Sequence, residues 1–106
     1  MVMQGRKQVL FSIGQVVATP DAIAVMAQVG VTPRELLRRH MTGDWGDLSR
    51  EDCLANERAI KDGSRIFSSY IIRDEQGREK AKLWVITEAK CDGWRQSTCI
   101  LLPEDY

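Results

Sequence analysis

The pattern of hydrophobic and polar residues changes partway along the chain. Residues 8–18 form an apolar, β-branched run without proline, which is typical of a strand. Gly14 interrupts this run and indicates a bulge or a close backbone approach. Residues 20–62 carry the capping signals and apolar spacing of helices, whereas from Ser64 onward the apolar positions alternate as in strands. Grouped helices and grouped strands together predict an α+β protein.

Three helices are predicted from their capping residues. Thr19 and Thr32 each precede a proline, so both are expected to cap a helix that starts at that proline. The first helix ends at Gly30 and is apolar on almost every side, which predicts that it is deeply buried. Ser49 caps a third helix, and Gly63 ends it.

Three strands are predicted in the second half of the chain. Residues 65–73 and 80–88 are joined by Asp-Glu-Gln-Gly-Arg-Glu, which is typical of a type I turn with a left-handed glycine bulge. Residues 97–102 form the last strand. We therefore predict one domain over residues 1–106 with the order β-α-α-α-β-β-β. Its antiparallel sheet has three to four strands, with the helices packed on one face.

The predicted hairpin has large apolar side chains on both faces. Pairing it symmetrically about its turn separates the apolar residues into two sets. One set is Phe67, Ile71, Trp84 and Ile86, and the other is Ile66, Tyr70, Leu83 and Val85. Helices from a chain this short cover one face, so the second face is either an exposed partner surface or covered by a terminal segment. The pattern leaves both possibilities open.

Charge and hydropathy narrow the range of partners. The 106 residues include 15 Lys+Arg and 15 Asp+Glu, a formal net charge of +0. This balance argues against nucleic-acid or membrane-surface binding, since either needs a basic excess. No apolar run approaches the ~18 residues of a membrane span, and no signal-peptide pattern opens the chain. We therefore expect a cytoplasmic protein that acts through a protein partner or as a homodimer.

The cysteine pattern indicates reduced thiols rather than disulfide bonds or a structural metal site. Cys53, Cys91 and Cys99 are odd in number and form no Cys-x-x-Cys pair. A zinc site would have to recruit His40, the only histidine, from far along the chain. We expect no metal and no cofactor.

The segment of residues 40–47, His-Met-Thr-Gly-Asp-Trp-Gly-Asp, is the most unusual in the sequence. As a functional site, His40 is a candidate general acid or base, and Asp44, Trp45 and Asp47 are candidate binding residues. As a structural element, the two aspartates cap turns, Trp45 anchors the loop and His40 holds a loop carbonyl. No nucleophile is visible beside the histidine, so the structural interpretation is favoured.

Four polar residues at predicted strand ends complete the candidate site: Arg65, Thr87, Glu88 and Arg95. If the sheet brings them near His40, they form a polar pocket with a cation, a hydroxyl and a carboxylate. Otherwise they are ordinary charges on the rim of the sheet, each contributing little stability.

Further candidates lie on the third helix, in the predicted hairpin and in the loop of residues 90–96. Trp84 and Trp94 are candidate interface anchors, because tryptophan is favoured at the centre of interfaces. Asn56 is expected to face inward, where an unpaired amide costs about 1–3 kcal/mol. The backbone of residues 43–48 is its predicted partner.

Several segments spread over nearly the whole chain carry a family resemblance. They are Gly-Gln-Val-Val-Ala-Thr-Pro-Asp-Ala at 14–22, residues 38–48 with Gly-Asp-Trp-Gly-Asp-Leu, Ile-Thr-Glu-Ala at 86–89 and Ile-Leu-Leu-Pro-Glu-Asp-Tyr at 100–106. The chain thereby resembles a family of small uncharacterised bacterial proteins carried on plasmids and other mobile DNA. This resemblance implies a bacterial cytoplasm and a mobile-element setting, but no established activity.

The chain departs from that family near its end. Members run from Ile-Thr-Glu-Ala almost directly into an Asp-Arg-Ser, Thr-Thr, Leu-Leu-Pro ending. Here residues 90–96 intervene, Arg95 corresponds to the family arginine and Cys99 replaces one threonine. Any site formed by that ending is therefore altered by the inserted segment with Trp94.

Three functions are compatible with these features. The favoured one is a non-enzymatic interaction or anti-defence module of a mobile element, which rests on neutral charge, the doubly apolar sheet and the exposed-loop tryptophans Trp45 and Trp94. The second is a metal-independent ribonuclease or toxin-like enzyme. In it His40 is the base, Arg65 or Arg95 steadies the phosphate, and Thr87 and Glu88 assist. It rests on fold-level analogy, and the neutral charge counts against it. The third is a small-ligand sensor built on residues 43–48.

Overall fold

The structure, a computed structural model, describes residues 8–106. Its three helices begin where the capping residues predict. They are α1 (Pro20–Val29), α2 (Pro33–Met41) and α3 (Arg50–Asp62), and a single 3₁₀ turn, Pro103–Asp105, follows near the end of the chain.

The predicted caps are confirmed by their hydrogen bonds. Thr19 Oγ1 accepts from the Ala22 amide at 3.1 Å, and Thr32 forms a complete capping box with Glu35. The deep burial predicted for α1 is wrong. Only Ala22 and Met26 are buried, and Ile23 is exposed. The helix lies on the surface, and its apolar outer side carries mainly alanines.

Six strands are present in the described part of the chain. They are β1 (Gln15–Ala18), β2 (Ile66–Arg73), β3 (Glu79–Thr87), β4 (Lys90–Cys91), β5 (Trp94–Arg95) and β6 (Ser97–Leu101). The main sheet has the order β1-β6-β3-β2, while β4 and β5 form a separate hairpin. The prediction of an α+β fold is confirmed, but that of a purely antiparallel sheet is wrong, since β1 pairs parallel to β6.

The parallel strand has a clear physical origin. The three helices between β1 and β2 form a long crossover, which allows β1 to lie beside the last strand in the same direction. Residue alternation is the same in parallel and antiparallel strands, so the sequence pattern does not distinguish them. β1 is also shorter than the predicted 8–18. Gly14 (φ 62°) lies so close to the Arg95 and Gln96 carbonyls that a Cβ would collide with them, which confirms the close approach.

The β2–β3 hairpin has the predicted register. Phe67 pairs with Ile86 and Tyr70 with Leu83, and Gly77 takes the expected left-handed conformation at φ 83°. The β4–β5 hairpin was not predicted, although its Asp92-Gly93 turn is a standard signal for a two-residue hairpin.

The two faces of the main sheet differ in cover. The inner face packs against the helices, and Tyr70, Leu83, Val85 and Ile100 form one core cluster with residues of α1 and α2. The outer face is defined here by Val17, Phe67, Ile71, Lys82, Trp84, Ile86, Cys99 and Leu101. Ile86 and Leu101 are buried there, whereas Phe67 and Trp84 are half-buried. Tyr106 packs edge-on against Trp84, so the C-terminal residues cover part of this face.

Candidate functional site

His40 lies in the interior on the inner face of the sheet, with 0% of its surface exposed. α2 ends one residue later and places the imidazole against strands β2 and β3. Its Nδ1 is 2.6 Å from Ser68 Oγ, and its Nε2 is 2.9 Å from Thr87 Oγ1. Both ring nitrogens are therefore paired with hydroxyl groups from strands far away in sequence.

The hydroxyl chain beyond His40 assigns the protons. Thr98 Oγ1 donates to the Ile13 carbonyl at 2.7 Å, and it lies 2.6 Å from Thr87 Oγ1. A carbonyl oxygen only accepts, so the Thr98 hydroxyl donates its single hydrogen to Ile13. It must therefore accept a hydrogen bond from the Thr87 hydroxyl. Thr87 in turn accepts from His40 Nε2–H, which leaves Nδ1 to accept from Ser68. A single tautomer of His40, with the proton on Nε2, and a single donor-to-acceptor direction satisfy every hydrogen bond from Ser68 to Ile13.

The surroundings of the imidazole oppose its protonation. The rings of Phe11 and Trp45 contact it edge-on, with centroids 5.2 and 6.1 Å away. Burial, and then the positive charge of Arg95, lower the pKa of His40 to about 3. The histidine is neutral at physiological pH, and each ring nitrogen already has a partner. This geometry matches a structural core histidine. The prediction that His40 bonds to a loop carbonyl is wrong, since its partners are two hydroxyl groups.

Arg95 is the second buried polar residue near this cluster, with 3% of its surface exposed. Nη1 donates to the Ser64 and Glu88 carbonyls at 2.8 and 3.0 Å, and Nη2 donates to the Ala59 carbonyl at 3.0 Å. Within residues 8–106, Nε has no partner. Ala59 lies in the last turn of α3 and Ser64 directly follows its cap Gly63, so the cation sits at the helix C-terminus, where the helix dipole favours it. Arg95 thus joins the end of α3 to the sheet.

The loop of residues 42–48 runs along the free edge of β2. Trp45 is buried, and its Nε1 donates to Glu57 Oε2 at 3.1 Å. Asp44 pairs with Arg39 at 2.7 Å and accepts from the Gly46 amide, while its carbonyl accepts from the Tyr70 hydroxyl. The predicted structural roles of Asp44 and Trp45 agree with these contacts, and Trp45 is not the exposed tryptophan that the interaction hypothesis assumed.

The same loop and α3 together cap the β2 edge. Asn56 forms a paired bridge with the Phe67 backbone, donating to its carbonyl at 2.6 Å and accepting from its amide at 3.1 Å. Asn56 therefore faces inward as predicted, but its predicted partner, the loop backbone, is wrong. The Ser69 amide donates to the Trp45 carbonyl, its carbonyl accepts from the Asp47 amide, and the Asp47 carboxylate accepts from the Ile71 amide. The loop acts as a fragment of a fifth strand.

The candidate residues do not meet in one open cleft. His40 contacts Thr87. Among the other candidates, Arg95 is bonded only to Glu88, and only to its backbone carbonyl. The side chain of Arg65 is exposed and donates to the Tyr106 hydroxyl at 2.9 Å. The remaining candidates lie on the surface: Glu88 is exposed, Trp84 is half-buried on the outer face, and Trp94 is exposed in the β4–β5 hairpin.

The fully buried hydroxyls of Ser68 and Thr98 were missed as members of the polar cluster. Ser68 and Thr98 occupy inward positions of strands whose other inward residues are apolar. That interruption of the alternating pattern was visible in the sequence. It does not say which group pairs with each hydroxyl, because the partners come from α2 and from the neighbouring strand.

The rest of the described chain offers a groove and neither a metal site nor a membrane-spanning helix. Within residues 8–106, no group of three or more His, Cys, Asp or Glu residues is placed to hold a metal ion. No helix in this part of the chain is long and apolar enough to cross a membrane. A groove of about 360 Å³ lies between α1, the start of β3 and the C-terminal turn, lined among others by Gln28, Lys80, Lys82 and Glu104. It is separate from the His40 cluster.

Comparison with known proteins returns no match: no family model, no curated protein and no solved structure is similar to this chain. The resemblance to mobile-element proteins therefore remains a prediction from the sequence.

Proposed function

We propose that the protein is a non-enzymatic interaction module of the bacterial cytoplasm, an accessory or anti-defence protein of a mobile element that binds a partner protein. The observation that carries the proposal is the aromatic group on the outer face of the sheet. Trp84 contacts both Phe67 and Tyr106 there, with ring centroids 5.1 and 5.8 Å away. Aromatic residues that remain partly exposed on a rigid sheet are typical anchors of interfaces.

The apolar surface extends across the sheet. Val17, Cys99, Ile86 and Phe67 occupy matching positions on the four strands and therefore form a row from one edge to the other. Trp84 and Leu101 form the next row. Ile86 and Leu101 are buried, so the accessible part of this area is formed by Val17, Cys99, Phe67 and Trp84. An apolar area that spans four strands suits a partner protein better than a small ligand, which needs a concave site.

Cations beside the aromatic group indicate the charge of the partner. The Arg65 guanidinium lies 5.8 Å from the centre of the Tyr106 ring and donates to its hydroxyl. Lys82 belongs to the same face, beside Ile71. A partner with apolar side chains flanked by carboxylates would complement this surface, and the rim charges would steer its approach.

The proposal is tested by partner capture with matched variants. Tagged wild-type protein, Trp84→Ala, Tyr106→Ala and Leu54→Ala are used to capture proteins from a bacterial host that carries the element. Leu54 is an exposed apolar residue on α3, away from the outer face, and serves as the control. We expect one bacterial protein that Leu54→Ala retains and that Trp84→Ala and Tyr106→Ala lose.

A capture result alone does not establish the function, so the captured protein must bind the purified chain at a defined stoichiometry. Tyr106 is largely exposed, and its loss should leave the fold intact. Trp94→Ala tests whether the β4–β5 hairpin belongs to the same interface. Binding that survives both outer-face substitutions, or RNA cleavage by the wild type that His40→Ala abolishes, would contradict the proposal.

A further inference from the structure

The outer edge of β1 offers backbone groups that residues 8–106 do not pair. β1 bonds to β6 through the amides of Gln15 and Thr19, which donate to the Gln96 and Ile100 carbonyls at 3.0 Å each. Alternate residues of a strand point their backbone groups to opposite edges, so Val16 and Ala18 point theirs away from β6. Across residues 8–106, these outward groups form no hydrogen bond outside the ladder.

The opposite edge of the sheet is protected. On β2, Asn56 and the loop of residues 42–48 cap the outward backbone groups of Phe67 and Ser69 and the amide of Ile71, as described above. β1 has none of the usual edge protection: it contains no charge, no proline and no bulge. Its Val16 and Val17 are 39% and 46% exposed.

We infer that β1 pairs antiparallel with β1 of a second copy of this chain, about a two-fold axis at Val17. In this register Val16 of each copy lies opposite Ala18 of the other, and each such pair exchanges two backbone hydrogen bonds. Val17 faces its own counterpart across the axis as the close, non-hydrogen-bonded pair, with Cα atoms about 4.5 Å apart. The two four-stranded sheets become one sheet of eight strands.

The described residues that precede β1 approach the opposite edge of the sheet. Leu10 donates to the Met41 carbonyl at 2.9 Å and lies against Gly43, next to the loop that caps β2. Leu10 therefore lies on the side of the protected edge and does not cover the outer edge of β1.

The edge is also complementary to itself. A two-fold axis at Val17 sets each outward N–H opposite an outward carbonyl, and the uncharged residues 15–18 bring no like charges together. Pro20 begins α1 directly after Thr19 and limits the pairing to a few residues. Such a small interface predicts a reversible dimer with a dissociation constant in the micromolar range.

The inference concerns the edge of the sheet and does not depend on partner binding at the outer face. Sedimentation of the full chain from about 5 to about 500 µM brackets a micromolar constant. We expect the mass of the wild type to rise from one chain to two, and Val17→Lys to remain monomeric, because it sets two ammonium groups opposite each other. Leu54→Lys is the matched control, since Leu54 is 47% exposed on α3, and it should dimerise like the wild type.

Cross-linking tests the register. The background is Cys91→Ser with Cys99→Ser, which removes the exposed native thiol and the thiol that lies beside position 17 on β6. In it we expect Val17→Cys to form an intermolecular disulfide under mild oxidation, because a Cα separation of about 4.5 Å lies within the disulfide range. Leu54→Cys should not. A wild type that stays monomeric at every concentration, or a dimer that Val17→Lys leaves intact, would overturn the inference. Neither result depends on whether Trp84 binds a partner.

Discussion

The two faces of the same sheet are used in opposite ways. On the inner face, the polar residues Ser68, Thr87 and Thr98 are fully buried, while on the outer face Phe67 and Trp84 remain partly exposed. The hydroxyls are stable inside because each has a partner in a hydrogen-bonded chain that includes the imidazole of His40. The exposed aromatics have no such chain of partners, and our proposal places binding on the outer face for this reason.

The largest expected effect comes from removing the His40 side chain, which tests whether the inner face serves stability. His40→Ala leaves a cavity and deprives two buried hydroxyls of a partner, so we expect the free energy of unfolding to fall by about 3–5 kcal/mol. Urea denaturation followed by tryptophan fluorescence measures this loss. An unchanged stability combined with a lost activity would instead favour the ribonuclease hypothesis and place the function on the inner face.

The second largest effect is expected from acid, which should lower the free energy of unfolding through His40 on the inner face. The pKa of His40 is about 3 in the folded chain and close to 6.5 when unfolded, so the unfolded state binds the extra proton between these values. Stability is complete above about pH 6.5 and is lost as the pH falls, by about 2 kcal/mol down to pH 5. Unfolding curves at several pH values for the wild type and His40→Gln test this. The variant should lose the dependence in this interval, and an equal slope in both proteins would contradict the assignment.

The smallest change in the free energy of unfolding is expected at Trp94, the exposed tryptophan of the β4–β5 hairpin. Trp94 is 71% exposed, so Trp94→Ala should change the free energy of unfolding by less than about 0.5 kcal/mol. Thermal unfolding beside His40→Ala provides the check. A large loss at Trp94 would show that the β4–β5 hairpin supports the core through its tryptophan.

Local features of the fold were predictable because they depend on neighbouring residues. Thr19, Thr32 and Ser49 cap their helices through amides three residues away, and the hairpin register depends on a turn centred near Gly77. Asn56 was predicted to face inward from helical spacing alone. Its partner was not predictable, because spacing says which side a residue faces and nothing about what lies there.

The candidate site shows the same division. The sequence determined that His40 is the only imidazole, that it lies near an apolar helix face and that a glycine-rich loop follows it. Only the tertiary structure decided that its partners are Ser68 and Thr87, 28 and 47 residues away. The parallel direction of β1 was decided in the same way, since it depends on how the three helices cross the sheet. Short-range hydrogen bonds and residue periodicity depend on the residues within one segment. Pairing between distant segments depends on how the whole chain packs.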